Sequence, residues 1–414
     1  MKQNLFSRDF TLVVIGQIIS LFGNATIRFA LPLYLLNQTG SSALYGTVMA
    51  CAFIPTILLS PIGGIVADRV NKRNIMVILD FFTAAVILIF SLLMGSVNLV
   101  VLLTVTMMLL YGIAGAYQPA VQASIPALTD PEHFMEANSV ISTISSFANL
   151  IGPVLGGMLY SAYGLKMVLI LCMVCFFLSA VMEIFIRIPF VRQASEGSIL
   201  KMVKGDFYES FRFIQKEKPQ IGRVTLVVCG INLFLSAMIM VAVPYLVTEV
   251  LKFGSENMAN TLYSFSQGAL AAGGLTGGIL AGVLGKRLSV QKAGSLIAAA
   301  AAAVFPIGIA LALALSAIES YLVITGCCFA IMVLSTMFSV QMISFVQAET
   351  PGHLIGKVIA VILTIAMCAQ PLGNALYGVL FELCKGFEFA VVLFAGGISL
   401  VIALAAGRRF RELA

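Results

Sequence analysis

Gly63–Arg73 reads GGIVADRVNKR, and Gly277–Arg287 reads GGILAGVLGKR. Each stretch closes a long apolar segment with paired glycines and then a basic pair. The two begin 214 residues apart in a chain of 414, at matching places in two halves. Self-similarity at so long a period implies duplication of a large unit, not a solenoid of short repeats. In a membrane protein, duplicated halves with a site between them are a transporter layout. The copies differ where charge is concerned: Asp68 and Arg69 of the first are Gly282 and Val283 in the second.

The chain is 60% hydrophobic and 10% charged, with a mean hydropathy of +1.05. Such a surface excludes an ordinary water-soluble protein. About twelve segments reach the roughly 20 residues that a helix needs to cross a bilayer. They run at 10–36, 43–67, 75–96, 98–125, 137–163, 166–190, 223–248, 258–284, 290–316, 319–346, 355–381 and 388–407. Strict alternation is absent, which excludes a β-barrel. Lys2 and Arg8 before the first segment imitate a signal peptide, but its length and the lack of a clean small-residue cleavage site make it a retained helix.

The net charge of +6 reports topology rather than a nucleic-acid partner. Of 24 Lys and Arg, 20 fall on segments on the same side as the N-terminus, Lys166, Lys252 and Lys385 fall on the other, and Arg28 lies within the membrane. The positive-inside rule then expects both termini in the cytoplasm of a cell-membrane protein. The eight cysteines sit in or beside apolar segments. Cys172 and Cys175 form a CxxC without a nearby histidine or acid, so they read as packing residues and no metal site is expected.

The longest polar stretch divides the chain into 1–190, a linker at 191–222, and 223–414. Within the linker Ile199, Val203, Phe207, Phe211 and Ile214 recur at helical spacing among Lys201, Lys204, Glu209, Arg212 and Lys216. This describes a basic amphipathic helix on the membrane surface, a tether or a lipid-responsive element. His133 and His353 occupy equivalent loops 220 residues apart, as helix-end residues or pH sensors. Gly274, Gly278 and Gly282, and the run Ala298–Ala303, allow close helix approach.

Charges at membrane depth are the candidate functional residues. Arg28 in the first segment costs at least ~2.5–3.5 kcal/mol to bury unless it has a partner or water. It is expected to bind an anionic group, to form an ion pair, or to snorkel outward. Asp80 in the third segment is a proton site or a partner of a loop arginine. Glu183 lies four residues before Arg187, a spacing that suggests a local ion pair. Glu249, Glu319, Glu382 and Glu388 are expected in solvent. Gln17, Asn24, Gln118, Gln122, Asn149, Asn232, Gln267, Gln341, Gln370 and Asn374 are interhelical hydrogen bonders or cavity residues.

The string Gly64-x-x-x-Asp68-Arg69-x-x-Lys72-Arg73 resembles the loop signature between helices two and three of the major facilitator superfamily. Gly152-Pro153-Val154-Leu155-Gly156-Gly157 resembles the end of that superfamily's antiporter signature, with Ala148 where glycine is usual. GQIISLFGN, YQPAVQASIPAL and EANSVIS resemble the branch that includes macrolide efflux proteins and the enterobactin exporter. The resemblance implies an all-α integral membrane fold of twelve helices in two pseudo-symmetric six-helix bundles. It also implies alternating access, an inner gate at Asp68, and bending and close packing of the fifth helix at Gly152–Gly157. Met108 precedes Gly112 where many proton-driven relatives carry arginine, so that route for protons is missing.

No phosphate loop, paired-histidine motif or triad is present, so neither an enzyme nor a cofactor is expected. The expectation is a monomeric secondary transporter exporting a small amphipathic compound against protons. The alternatives are a lipid or lysolipid flippase, an uncoupled facilitator, or a non-transporting sensor or scaffold.

Overall fold

A computed structural model describes residues 7–130, 133–188, 199–284, 290–351 and 354–411. Among these, secondary structure is helical and no strand occurs. The elements are α1 (Arg8–Thr39), α2 (Ser42–Arg69), α3 (Lys72–Leu93) and α4 (Leu99–Leu128), followed by α5 and α6 within Phe134–Ile184. Then come α7 (Ile199–Arg212), α8 (Pro219–Val250), α9 (Glu256–Leu284), α10 (Val290–Ala302), α11 (Phe305–Ala312), α12 (Ala317–Glu349), α13 (Ile355–Leu383) and α14 (Glu388–Arg411).

Among the described residues, eleven apolar runs are long enough to cross a membrane, one of them 49 residues, Glu136–Ile184. A straight helix of that length would span ~74 Å, over twice the hydrocarbon core. The run breaks at Gly164, whose φ of 75° and ψ of 179° no side chain tolerates well. Residues 134–163 are therefore α5 and residues 165–184 are α6, which makes twelve passages. The segment read as 290–316 is also interrupted: Pro306 opens α11, and a turn at 303–304 separates it from α10.

The helices bury an apolar core and also expose long apolar faces. On α3, Ile78, Phe82, Leu88, Ile89 and Leu92 are exposed on one face. The opposite face buries Met76, Thr83, Ala84, Ile87, Phe90 and the charged Asp80. Lipid solvates the apolar face, so association rests on close packing and on hydrogen bonds.

The chain forms two compact units, 1–38 with 51–199, and 39–50 with 200–414. In the first, Phe10, Val13, Met76, Tyr117, Val121, Ile125, Ile141 and Ile186 gather into a core. In the second, Phe213 and Ile214, just past α7, pack with Ile221, Val346, Leu354 and Val358. Lys218 pairs with Glu349 at 2.6 Å and Lys357 with Glu209 at 2.9 Å. The end of the linker is therefore bound into the second unit. Phe207 and Phe211 of α7 stay exposed and stack on each other at 6.1 Å, while the side chains of Ile199 and Val203 lie outside the described residues.

The repeated glycines do the same work in each unit. A Cβ on Gly63 would lie 2.7 Å from Ala116 Cα, and one on Gly277 would lie 2.5 Å from the Val333 carbonyl oxygen. Gly63 thus seats α2 on α4, and Gly277 seats α9 on α12, backbone against backbone. The side chains of Asp68 and Arg69 lie outside the described residues, as do Gly64, His353, Lys286 and Arg287. His133 precedes α5 without a side-chain cap bond.

Candidate functional site

Arg28 of α1 sits over the face of an aromatic ring. Its guanidinium carbon is 3.4 Å from the centroid of Tyr111 on α4. Tyr111 meets Phe53 edge-on at 5.3 Å, and its carbonyl accepts from Thr56 Oγ1 at 2.8 Å. Among the described residues no acidic side chain pairs with Arg28. The face of the ring supplies the attraction, and the guanidinium N–H donors, which make no hydrogen bond among the described residues, remain available to a second group. Arg28 Nε is buried and has no hydrogen-bond partner, and one turn earlier Asn24 Oδ1 is likewise buried and unpartnered.

The Gly-Pro stretch positions this part of α1. A Cβ on Gly152 would meet Ala25 Cβ at 2.5 Å, and one on Gly156 would meet Thr26 Cγ2 at 3.0 Å. Thr26 Oγ1 donates to the Gly152 carbonyl at 3.3 Å. Gly157 is buried and Pro153 half-buried on the same helix. Any larger residue at Gly152 would push α1, and Arg28 with it, off its seat. Asn149 and Gln122 are exposed, and Gln118 is half-buried.

Roughly 12 Å along α1 from Arg28, counted from Ser20, is a second polar cluster that local spacing does not disclose. Gln17 Nε2 donates to the Tyr117 hydroxyl at 2.6 Å, and Tyr117 donates to Glu183 Oε1 at 2.7 Å. Ser20 Oγ donates to Asp80 Oδ1 at 3.1 Å. Ser179, one turn before Glu183, donates to the Gly16 carbonyl at 3.1 Å. Gln17 and Glu183 are fully buried, and Asp80 is 2% exposed.

Two expectations are corrected here. Glu183 does not pair with Arg187: α6 ends at Ile184, so the four-residue spacing is not helical, and the carboxylate turns inward to Tyr117. The Arg187 backbone N–H instead donates to Asp9 Oδ1 at 3.0 Å. Nor does Asp80 pair with a loop arginine. Asn71 caps α3 by accepting from Arg73 N, and the Arg73 guanidinium reaches the Ile184 carbonyl at the end of α6. Lys72, the first residue of α3, is half-buried.

Tyr111, Tyr117, Ser20 and Ser179 are site residues that the sequence did not single out. A signal existed on α6, where Ser179 and Glu183 share a face in an otherwise apolar run.

The polar residues of the second unit are mostly paired within it. Asn232 Nδ2 donates to the Ala366 carbonyl at 3.0 Å, and Gln370 Nε2 reaches Asn374 Oδ1 at 3.4 Å. Gln267 donates to the Tyr263 hydroxyl at 3.0 Å. Gln341 is buried with both amide atoms unpartnered. Of the acids expected in solvent, Glu319 closes a capping box with Ser316, and Glu382 accepts from Ser41 at 2.9 Å and Lys385 at 2.5 Å.

A family model described as Major Facilitator Superfamily matches residues 13–374. Macrolide efflux protein A of Streptococcus pyogenes is 25% identical over 388 residues, covering 90% of this chain and 89% of that one. The lysophospholipid transporter LplT of Cronobacter sakazakii is 33% identical over 163 residues, 38% of each chain. The nucleoside transporter NupG shares the fold at a TM-score of 0.74 with 13% identity, covering 97% of this chain and 99% of that one. A bacterial homologue of the iron transporter ferroportin, inward-facing, does so at 0.70 with 18% identity, covering 97% and 100%.

Proposed function

This chain belongs to the Major Facilitator Superfamily, and from that premise we propose that it exports a small amphipathic compound across the cytoplasmic membrane, by alternating access and in exchange for protons. That it is a multi-pass transporter and not an enzyme follows from the family. Export, coupling and substrate are our reading. The observation that carries it is the unpaired Arg28 on the Tyr111 ring. An arginine kept at membrane depth without an acid has donors in reserve for a ligand. A ligand that uses them has an anionic or strongly accepting group, and the apolar surroundings suit the rest of an amphipathic molecule. Efflux draws on the similarity to macrolide efflux protein A along most of the chain.

In this reading both termini are cytoplasmic and the protein works as a monomer of two six-helix bundles, 1–190 and 223–414, joined by the linker. Asp68 and Arg69 steady the inner gate, Lys72 and Arg73 anchor its loop, and Gly152–Gly157 hold the fifth helix against α1.

A second reading is favoured by the same arginine and by the similarity to the lysophospholipid transporter: the anionic group is a lipid phosphate. Proteoliposomes with an imposed pH gradient separate the two. Radiolabelled macrolide flux that moves protons supports the first. Transfer of labelled lysophospholipid between leaflets, without proton movement, supports the second. If Asp68→Asn transports at the wild-type rate, the gate assignment is wrong.

A further inference from the structure

The Asp80–Glu183 cluster has more acceptors than its neighbours can satisfy. Three oxygens from three helices, Gln17 Oε1, Asp80 Oδ2 and Glu183 Oε2, are buried and have no hydrogen-bond partner. Each belongs to a side chain at most 2% exposed. The donors around them reach other atoms, Ser20 donating to Asp80 Oδ1, Tyr117 to Glu183 Oε1, Gln17 to Tyr117 and Ser179 to the Gly16 carbonyl, and none reaches these three oxygens. Two carboxylates share this space and no basic side chain bonds to either among the described residues. Buried charge without compensation is among the costliest arrangements in a protein, so such a cluster calls for a positive occupant.

No other charged side chain bonds to the cluster among the described residues. Arg73 at the start of α3 donates to the Ile184 carbonyl, and Asp9 on α1 accepts from the Arg187 backbone. Glu136 on α5 is exposed, Tyr117 on α4 is part of the cluster, and the Asp68 and Arg69 side chains of α2 lie outside the described residues.

We propose that Gln17, Asp80 and Glu183 form the binding site for the coupling cation, a proton or a sodium ion, braced by Ser20, Tyr117 and Ser179. An all-oxygen set with carboxylate, amide and hydroxyl members suits a hard cation, and either carboxylate oxygen accepts a proton directly. A sodium ion would coordinate and leave with no covalent change, whereas a proton forms an O–H bond on one carboxylate and returns to solvent when that bond breaks. As the coupling site it rests on the reading of the chain as an ion-driven transporter; as a binding site it does not need a transported substrate. The site stands apart from Arg28, so ion and compound need not compete for one group. The loaded cluster ties α1, α3, α4 and α6 together, and the empty one leaves two carboxylates in opposition.

The test uses the purified full-length protein in detergent with no transport substrate. Sodium chloride is titrated against choline chloride while the melting temperature is read. Separately, pH is varied over roughly 5 to 9, around the range of ordinary buffered side chains, while the infrared carbonyl band of a protonated carboxyl is followed. A saturable rise in melting temperature with sodium identifies sodium, and a titrating carboxyl band without it identifies the proton. Whichever response the wild type gives is lost in Asp80→Asn and in Glu183→Gln. Should these not fold, Ser20→Ala and Gln17→Met are read instead and shift the midpoint at least threefold in concentration. No response in the wild type, a response that persists in folded Asp80→Asn and Glu183→Gln, or unshifted midpoints in both milder variants, overturns the proposal. Cation binding without ion-linked flux of any compound would sink the export reading and leave this site standing.

Discussion

Tyr117 stands between Gln17 and Glu183, accepting from the amide at 2.6 Å and donating to the carboxylate at 2.7 Å. One hydroxyl thereby links α1, α4 and α6 inside a buried core. Removing it in Tyr117→Phe leaves a buried amide and a buried carboxylate each one bond short. The expected cost is about 1–3 kcal/mol, seen as a lower melting temperature in detergent. Because the two side chains act as a pair, Tyr117→Phe combined with Glu183→Gln should cost less than the sum of the single variants. Additive losses would show that the bond contributes nothing.

The break between α5 and α6 rests on one backbone conformation. Gly164 has φ 75° and ψ 179°, and a Cβ there would find nothing within 4 Å. Gly164→Ala therefore meets no steric obstacle, only torsional strain of about 1–3 kcal/mol. Thermal unfolding should report that loss. An unchanged melting temperature would mean that the turn relaxes without difficulty.

The duplicated glycines give a matched pair of experiments. Gly63→Val and Gly277→Val drive a side chain into the backbone of Ala116 and Val333, respectively. Both should abolish recovery of monodisperse protein by size exclusion. Gly278, beside Gly277, has nothing within 4 Å of its Cβ position, so Gly278→Ala should be recovered like wild type. Equal recovery of all three variants would contradict the shared seating role.

What was legible in the sequence follows a physical divide. Apolar run length reveals the membrane passages because the bilayer sets the length of a helix, and even the break near 164 shows as a gap between 163 and 166. Glycines in register between the halves betray close packing for the same reason. The partners of charged residues were hidden. Arg28 announced a need, but that Tyr111 meets it depends on how α1 crosses α4. Glu183 looked like the mate of Arg187 because spacing alone does not reveal that α6 stops at Ile184. Its actual partner, Tyr117, is 66 positions away.

The seat of Arg28 yields the sharpest functional test. If the Tyr111 ring holds the guanidinium, the face of the ring matters and the hydroxyl does not. Tyr111→Phe should then keep wild-type transport, and Tyr111→Leu should behave like Arg28→Gln. A cation–π contact contributes about 0.5–2 kcal/mol, so KM for the transported compound should rise roughly 2- to 30-fold in Tyr111→Leu. Arg28→Lys keeps the charge but not the flat face with its fork of donors, and should fall between wild type and Arg28→Gln. Proteoliposome flux at varied substrate concentration separates KM from maximal rate in each variant. If Tyr111→Phe is impaired as badly as Tyr111→Leu, the hydroxyl is the working group and the stacking account of Arg28 fails. If Arg28→Gln leaves KM untouched, Arg28 is not the group that meets the ligand.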